Sequence, residues 1–91
     1  MIASFTRKRV RVSYGHEMDT GRTCMDHRDW TGAYRHFLAA HDLGHAVRSW
    51  HLGAHKAALR TALQARWPGR VLYQLIFMAV AFLTSWRHDA I

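Results

Sequence analysis

Apolar and polar residues follow one another along this chain with the period of an α-helix. Apolar and small side chains recur every three or four positions over residues 10–25, 30–43 and 46–65, which places them on one face of each helix. A fourth segment, 69–86, is almost entirely apolar. The pattern predicts an all-α fold, a four-helix bundle in which helices 1 and 2 form one hairpin and helices 3 and 4 form a second.

Residues with special backbone preferences mark the predicted turns. Asp29 precedes helix 2 as an N-cap, because its carboxylate can accept hydrogen bonds from the free amides of the first turn. Gly44 follows helix 2 and is predicted to adopt the left-handed conformation, since glycine does so without steric cost. Pro68 follows helix 3 and is predicted to be the first residue of helix 4.

The apolar run of helix 4 predicts an interface. Residues 71–86 carry no charge over sixteen positions, whereas a helix that spans the hydrocarbon layer of a membrane needs about 20 apolar residues. Gln74 interrupts the run. We expect this helix to lie in the core or at a subunit interface. Because a chain of 91 residues covers such a helix incompletely, we expect a homodimer through helix 4; membrane insertion is the alternative.

Length and composition indicate one folded domain. The 91 residues are 49% hydrophobic and include four tryptophans, unlike a disordered chain. We predict an irregular basic arm at residues 1–9 and a single helical domain at 10–91.

The net charge is +7, but zinc-finger, RNA-recognition and helix-turn-helix motifs are absent from the sequence. This disfavours nucleic acid as a partner and leaves an acidic protein or a membrane surface. The densest basic run is Arg7, Lys8, Arg9 and Arg11.

Cysteine usage favours a reducing compartment. Cys24 is the single cysteine, so the chain forms no internal disulfide. The first ten residues also lack the apolar core of a secretory signal, and we expect a cytoplasmic protein. Asp26 and His27 lie beside Cys24 and could lower the pKa of its thiol, although a packing role is favoured.

Two histidine pairs provide the most specific chemistry of the sequence. His41 and His45 are four residues apart, as are His51 and His55, and this spacing puts both rings of a pair on one helix face. Antiparallel packing of helices 2 and 3 brings the pairs together. Neutral imidazoles bind zinc, copper, nickel or iron. We therefore predict a metal site made of His41, His51 and His55, with Glu17 of helix 1 as fourth ligand and His45 in a supporting position.

Catalysis has less support in the sequence. His16 and Glu17 lack the second histidine of a zinc-protease motif, and motifs for a nucleophile, a phosphate or a dinucleotide are absent from the sequence. We predict no catalytic or cofactor-binding residue and favour a non-enzymatic protein. An acid–base enzyme that uses Glu17 and the histidines is an alternative.

Two further hypotheses give the histidines only packing or capping roles. Ala33, Phe37 and Ala40 have the spacing of the second helix of a tetratricopeptide unit, which predicts a protein–protein interaction module. The second hypothesis is a membrane-peripheral protein held by helix 4 and the basic arm.

Taken together, these motifs resemble domain of unknown function 3703, an uncharacterised family of small bacterial proteins. The family has no established activity, and some members are encoded near heavy-metal resistance genes, so the resemblance implies a role in metal handling or resistance. It covers about residues 10–79. The residues that match are Glu17, Asp29, the run AYRHFLAAHDLGH at 33–45, His51 with His55, and VLYQ at 71–74.

The chain departs from the family pattern at several positions. Arg28 stands where the turn of the family has glycine, and Tyr73 also replaces a glycine. Leu38 replaces a glutamate, and His45 replaces a glutamine. The asparagine-threonine-glycine motif of the family has no counterpart in the final SWRHDAI, so any part of a site that this motif completes is expected to be missing.

Overall fold

Four consecutive α-helices make up the computed structural model, which describes residues 2–89, with side chains for residues 7–84. The described part of the chain contains no strand. Each helix packs chiefly on its neighbours in sequence, which forms a row measuring 42 × 29 × 13 Å. The prediction of an all-α, four-helix fold is confirmed. The helices are α1 (Ile2–Asp26), α2 (Trp30–Leu43), α3 (Arg48–Ala65) and α4 (Pro68–Asp89).

Two helix starts differ from the prediction. α1 begins at Ile2 rather than at residue 10, so it includes the segment that we expected to be an irregular arm. The reason is that the segment before Gly15 contains no proline or glycine and is rich in arginine, a good helix former. α3 begins at Arg48 rather than at residue 46, because Val47 is extended and its N–H donates to the Gly44 carbonyl at 3.0 Å.

Small side chains dominate the core between the helices. Phe37 and Tyr34 of α2 and Met18 of α1 supply most of its volume. A Cβ at Gly21 would overlap the Phe37 ring, so the glycine is needed for this close contact. Alanines let neighbouring helices approach closely. Five of them are at most 1% exposed: Ala33, Ala40, Ala54, Ala58 and Ala62.

The turn residues behave as predicted at two positions and differently at a third. Asp29 caps α2, since its Oδ1 accepts from the Gly32 N–H at 3.0 Å, and Pro68 is the first residue of α4. The left-handed conformation predicted for Gly44 is wrong, because its φ is −95°. The glycine is required for space instead: a Cβ there would lie 2.8 Å from Trp50 Cβ and 2.9 Å from Tyr14 Cδ2.

The turn between α1 and α2 contains a strained arginine. Arg28 is exposed and has a φ of 59°, in the left-handed region that glycine prefers. We expect Arg28→Gly to raise the free energy of unfolding by about 0.5–1 kcal/mol, which thermal unfolding would record as an increase of a few degrees. Arg11→Gly, at an exposed position inside α1, should instead lose about 1 kcal/mol. A melting temperature for Arg28→Gly at or below that of the wild type would contradict the prediction.

α4 is the last helix of the row and buries only one face. Gln74 on its inner face is fully buried. Eight large apolar side chains on the rest of its surface are 42–62% exposed in the single chain. The part of the prediction that placed helix 4 in the core therefore holds for one face only. In the described part of the chain, every helix is too short or too polar to cross a membrane.

Candidate metal centre

Three imidazole nitrogens converge between α2 and α3. His41 lies near the end of α2, and His51 and His55 lie in the first half of α3. The Nε2 atom of His51 is 2.8 Å from that of His41 and 3.1 Å from that of His55. One ligand atom from each histidine lies within 4.8 Å of the others, an arrangement that could hold a metal ion. The structure thus brings together the three histidines that the sequence analysis placed at a common site.

The α2–α3 turn determines how closely the rings meet. The Tyr14 hydroxyl donates to the Trp50 carbonyl at 2.9 Å, and the two rings stack at 5.2 Å. Both side chains pack against Gly44, where no Cβ is present to separate them. The start of α3 is therefore held tightly against the end of α2. As a result, His51 faces His41 across the turn, with ring centroids 4.6 Å apart.

A buried amide orients the ring of His55. Gln74 of α4 donates from Nε2 to the Tyr34 hydroxyl at 2.8 Å, and its Oε1 lies 2.7 Å from His55 Nδ1. Since an amide oxygen only accepts, Nδ1 of His55 bears the proton and donates it to Gln74. The Nε2 atom of His55 therefore presents a lone pair to the cluster. Hydrogen bonds of this kind fix the tautomer of metal-binding histidines.

A carboxylate has the same effect on His41. His41 Nδ1 donates a hydrogen bond to Asp42 Oδ1 at 3.1 Å, which leaves Nε2 of His41 with a lone pair. His51 Nε2 lies between the lone pairs of His41 and His55. A proton on His51 Nε2 could be donated to only one of the two neighbours. The cluster therefore has more lone pairs than protons, which is the requirement for coordinating a cation.

Burial and the neighbouring rings lower the pKa values of two histidines in the cluster, His51 and His55. The pKa of His51 is lowered from 6.5 to about 4, first by burial and then by the neighbouring His41, His55 and His45. Burial also lowers the pKa of His55, and the hydrogen bond to Gln74 partly opposes this shift. A metal competes with protons for imidazole nitrogens, so a lowered pKa leaves these nitrogens free at neutral pH.

His45 and Glu17 lie outside the group of three converging histidines. The ring of His45 is exposed and lies 4.4 Å from the His51 ring centroid and 5.3 Å from that of His41. Glu17 is outside the group of converging ligand atoms. Its Oε2 accepts from His36 Nδ1 at 2.7 Å. The physical reason is that α1 packs on α2, where Glu17 pairs with His36 instead of reaching the cluster between α2 and α3.

Cys24 has little thiolate character. Burial and the neighbouring Asp29 raise the pKa of its thiol, and Arg35 only partly opposes them. His27 does not activate it, because its Nδ1 bonds the Thr23 carbonyl at 2.9 Å. The packing role that the sequence favours for Cys24 agrees with this environment.

Three residues that support the cluster were missed as site residues in the sequence. Gln74 was noted as an interruption of the apolar run and as part of the VLYQ match, yet a single amide inside such a run must find a buried partner. Tyr34 and Asp42 were noted only as members of the matching run at 33–45. The signal that could have identified Gln74 is that it is the single amide of the apolar run, one turn from its start.

Comparisons with known proteins give one match. A family model described as "Protein of unknown function (DUF3703)" matches residues 8–90 of the chain. The match includes the three converging histidines and Gln74. No curated protein and no solved structure matches the chain.

Proposed function

This chain belongs to the DUF3703 family, and we propose that it binds a divalent transition metal, zinc in the first instance, at His41, His51 and His55. The observation that supports this most directly is the convergence of three Nε2 atoms at separations of 2.8 and 3.1 Å. The Nδ1 atoms of His41 and His55 donate hydrogen bonds that direct the Nε2 lone pairs of these two rings toward the cluster. Histidines that only pack together on a surface do not require hydrogen bonds that fix the orientation of their rings.

The three rings would adjust their spacing to accept the ion. Zinc–nitrogen bonds of about 2.0–2.1 Å in a tetrahedron separate the nitrogens by about 3.3 Å. The two close pairs would therefore move apart by a few tenths of an ångström, and the ligand atoms of His41 and His55, which lie within 4.8 Å of each other, would reach the same separation. His51 is partly exposed, so its ring has room to do so. Water, or His45 after a rotation of its side chain, would take the fourth position.

An open fourth position favours reversible metal handling over a purely structural role. Structural zinc sites are closed by four protein ligands, whereas sites with three protein ligands keep the fourth position open to water, a substrate or another incoming ligand. The exposed His45 stands at the edge of the cluster, where an incoming ion would meet it first. We infer a non-enzymatic protein that buffers or transfers a metal ion, a role that fits metal handling or resistance.

A zinc titration of metal-free protein tests this function. Calorimetry on protein purified without a histidine tag should give one zinc ion per chain and a dissociation constant tighter than about 10 μM. Elemental analysis of protein purified without chelator should find the metal retained. Absence of binding in this range would refute the metal function.

A second candidate is a protein–protein interaction module in which the histidines are structural. The chain of hydrogen bonds from His55 through Gln74 to Tyr34 favours it, because this chain joins α3, α4 and α2. In that case substitutions in the cluster would lower thermal stability, and every metal measurement would stay flat. The titration therefore distinguishes the two candidates.

A further inference from the structure

Among the residues that the structure describes, none covers the outward face of α4. A stripe along its centre consists of residues spaced by three or four positions, each more than half exposed. Soluble monomers seldom expose a continuous apolar surface of this kind. We propose that a second copy of this chain covers the face and forms a homodimer through α4. The stripe comprises Leu72, Ile76, Val80 and Leu83.

The available area matches that of a stable dimer. Eight large apolar side chains of α4 are roughly half exposed, and at about 150–200 Å² for each when fully exposed they offer on the order of 700 Å² per chain. A standard interface buries about 800 Å² per partner. Leu63 of α3 is also exposed and extends the surface. Beside it, Val71 and Leu75 line a groove between α3 and α4 that can receive a partner side chain.

The distribution of charge favours a second copy over a nucleic acid or an acidic protein. The chain has a net charge of +7, yet residues 71–84 include no charged side chain. Two copies can therefore meet along this segment without opposing like charges. A negatively charged partner would find no basic residue on the stripe itself, and its charged groups would lose water without compensation.

The arginine at the start of α4 lies off the apolar stripe. The guanidinium of Arg70 stacks over the rings of Trp67 at 4.3 Å and Tyr34 at 5.0 Å, on the side of α4 that faces the rest of the chain. Arg70 therefore leaves the stripe uncharged. Gln74 lies on the opposite face of α4, so this dimer requires no metal.

Sedimentation equilibrium of the full chain tests the dimer. In buffer that contains a chelator, the mass should be twice the 10.6 kDa of one chain, with a dissociation constant at or below about 1 μM. Ile76→Glu places a carboxylate at the centre of the stripe and should weaken the dimer at least about a hundredfold, because the charge would be buried without a partner. Val80→Glu should act in the same way. Val12→Glu is the matched control, because Val12 is similarly exposed but lies on α1. This variant should remain dimeric.

Circular dichroism checks that helix content is unchanged, which is expected because all three substitutions are at exposed positions. A wild-type chain that stays monomeric at about 100 μM, or larger assemblies, would overturn the proposal. So would dimers that persist in both α4 variants. If the monomer floats with vesicles of phosphatidylcholine and phosphatidylserine, the face binds a lipid surface instead.

Discussion

Replacing His51 by alanine is expected to weaken zinc binding about a hundredfold. Structural zinc sites contribute about 10–16 kcal/mol over four ligands, which is roughly 3 kcal/mol for each ligand. His51 is the ring whose Nε2 lies between the other two, so its removal eliminates both close nitrogen pairs. It is also partly exposed, and its loss leaves the Gln74–His55 and Asp42–His41 hydrogen bonds in place. Calorimetric titration with zinc measures the effect.

Two other histidines provide matched controls for this variant. His16 is exposed on α1 and outside the cluster, so His16→Ala should bind zinc like the wild type. His45→Ala should lose less than about tenfold, because His45 only borders the cluster. If His51→Ala and His16→Ala have the same affinity, the metal is bound elsewhere and the proposed site is wrong.

Acid is expected to begin destabilising the metal-free protein at about pH 6.5, before most carboxylates titrate. The pKa of His51 is about 4 in the folded chain and 6.5 in the unfolded chain. Between these values the unfolded chain binds more protons, so the free energy of unfolding falls as the pH is lowered from about 6.5 to 4. The contribution is fully present above pH 6.5. Because part of the ring contacts solvent, the loss should be on the order of 2 kcal/mol, and the melting temperature should fall by about 10 °C.

His51→Gln separates this effect from other titrations. Glutamine does not titrate, so the variant should lose much less stability between pH 6.5 and 4 than the wild type. His55, whose pKa is also lowered by burial, is present in both proteins. Chemical denaturation at half-unit pH steps measures the difference. Parallel stability curves for the two proteins would show that His51 is not the group responsible.

The residues of the cluster were predictable because they lie on two helices adjacent in sequence. The i, i+4 spacing of His51 and His55 places both rings on one face of α3. The short turn between α2 and α3 keeps His41 close to that face. Glu17 was harder to place, since its partner depends on the rotation of α1 about its axis. The structure turns Tyr14 toward α3 and Glu17 toward His36, and the apolar pattern of helix 1 did not determine that rotation.

Backbone conformation in the turns was the other feature that the sequence described incompletely. Gly44 was assigned a left-handed conformation, but the requirement there is space for Tyr14 and Trp50, which depends on contacts between distant residues. Arg28 is the reverse case. Its positive φ is one that glycine adopts readily, and an arginine in the sequence does not reveal such a conformation.

The alanine contacts between the helices also bear on which ions the proposed site would accept. Side chains with no rotatable bonds hold neighbouring backbones at a fixed separation, so the helices have little freedom to spread. His55 is fixed on this rigid frame, and the partly exposed ring of His51 has room to move. Metal–nitrogen bonds longer than those of zinc would require larger displacements of the rings. We therefore expect the proposed site to bind small first-row cations more tightly than cadmium.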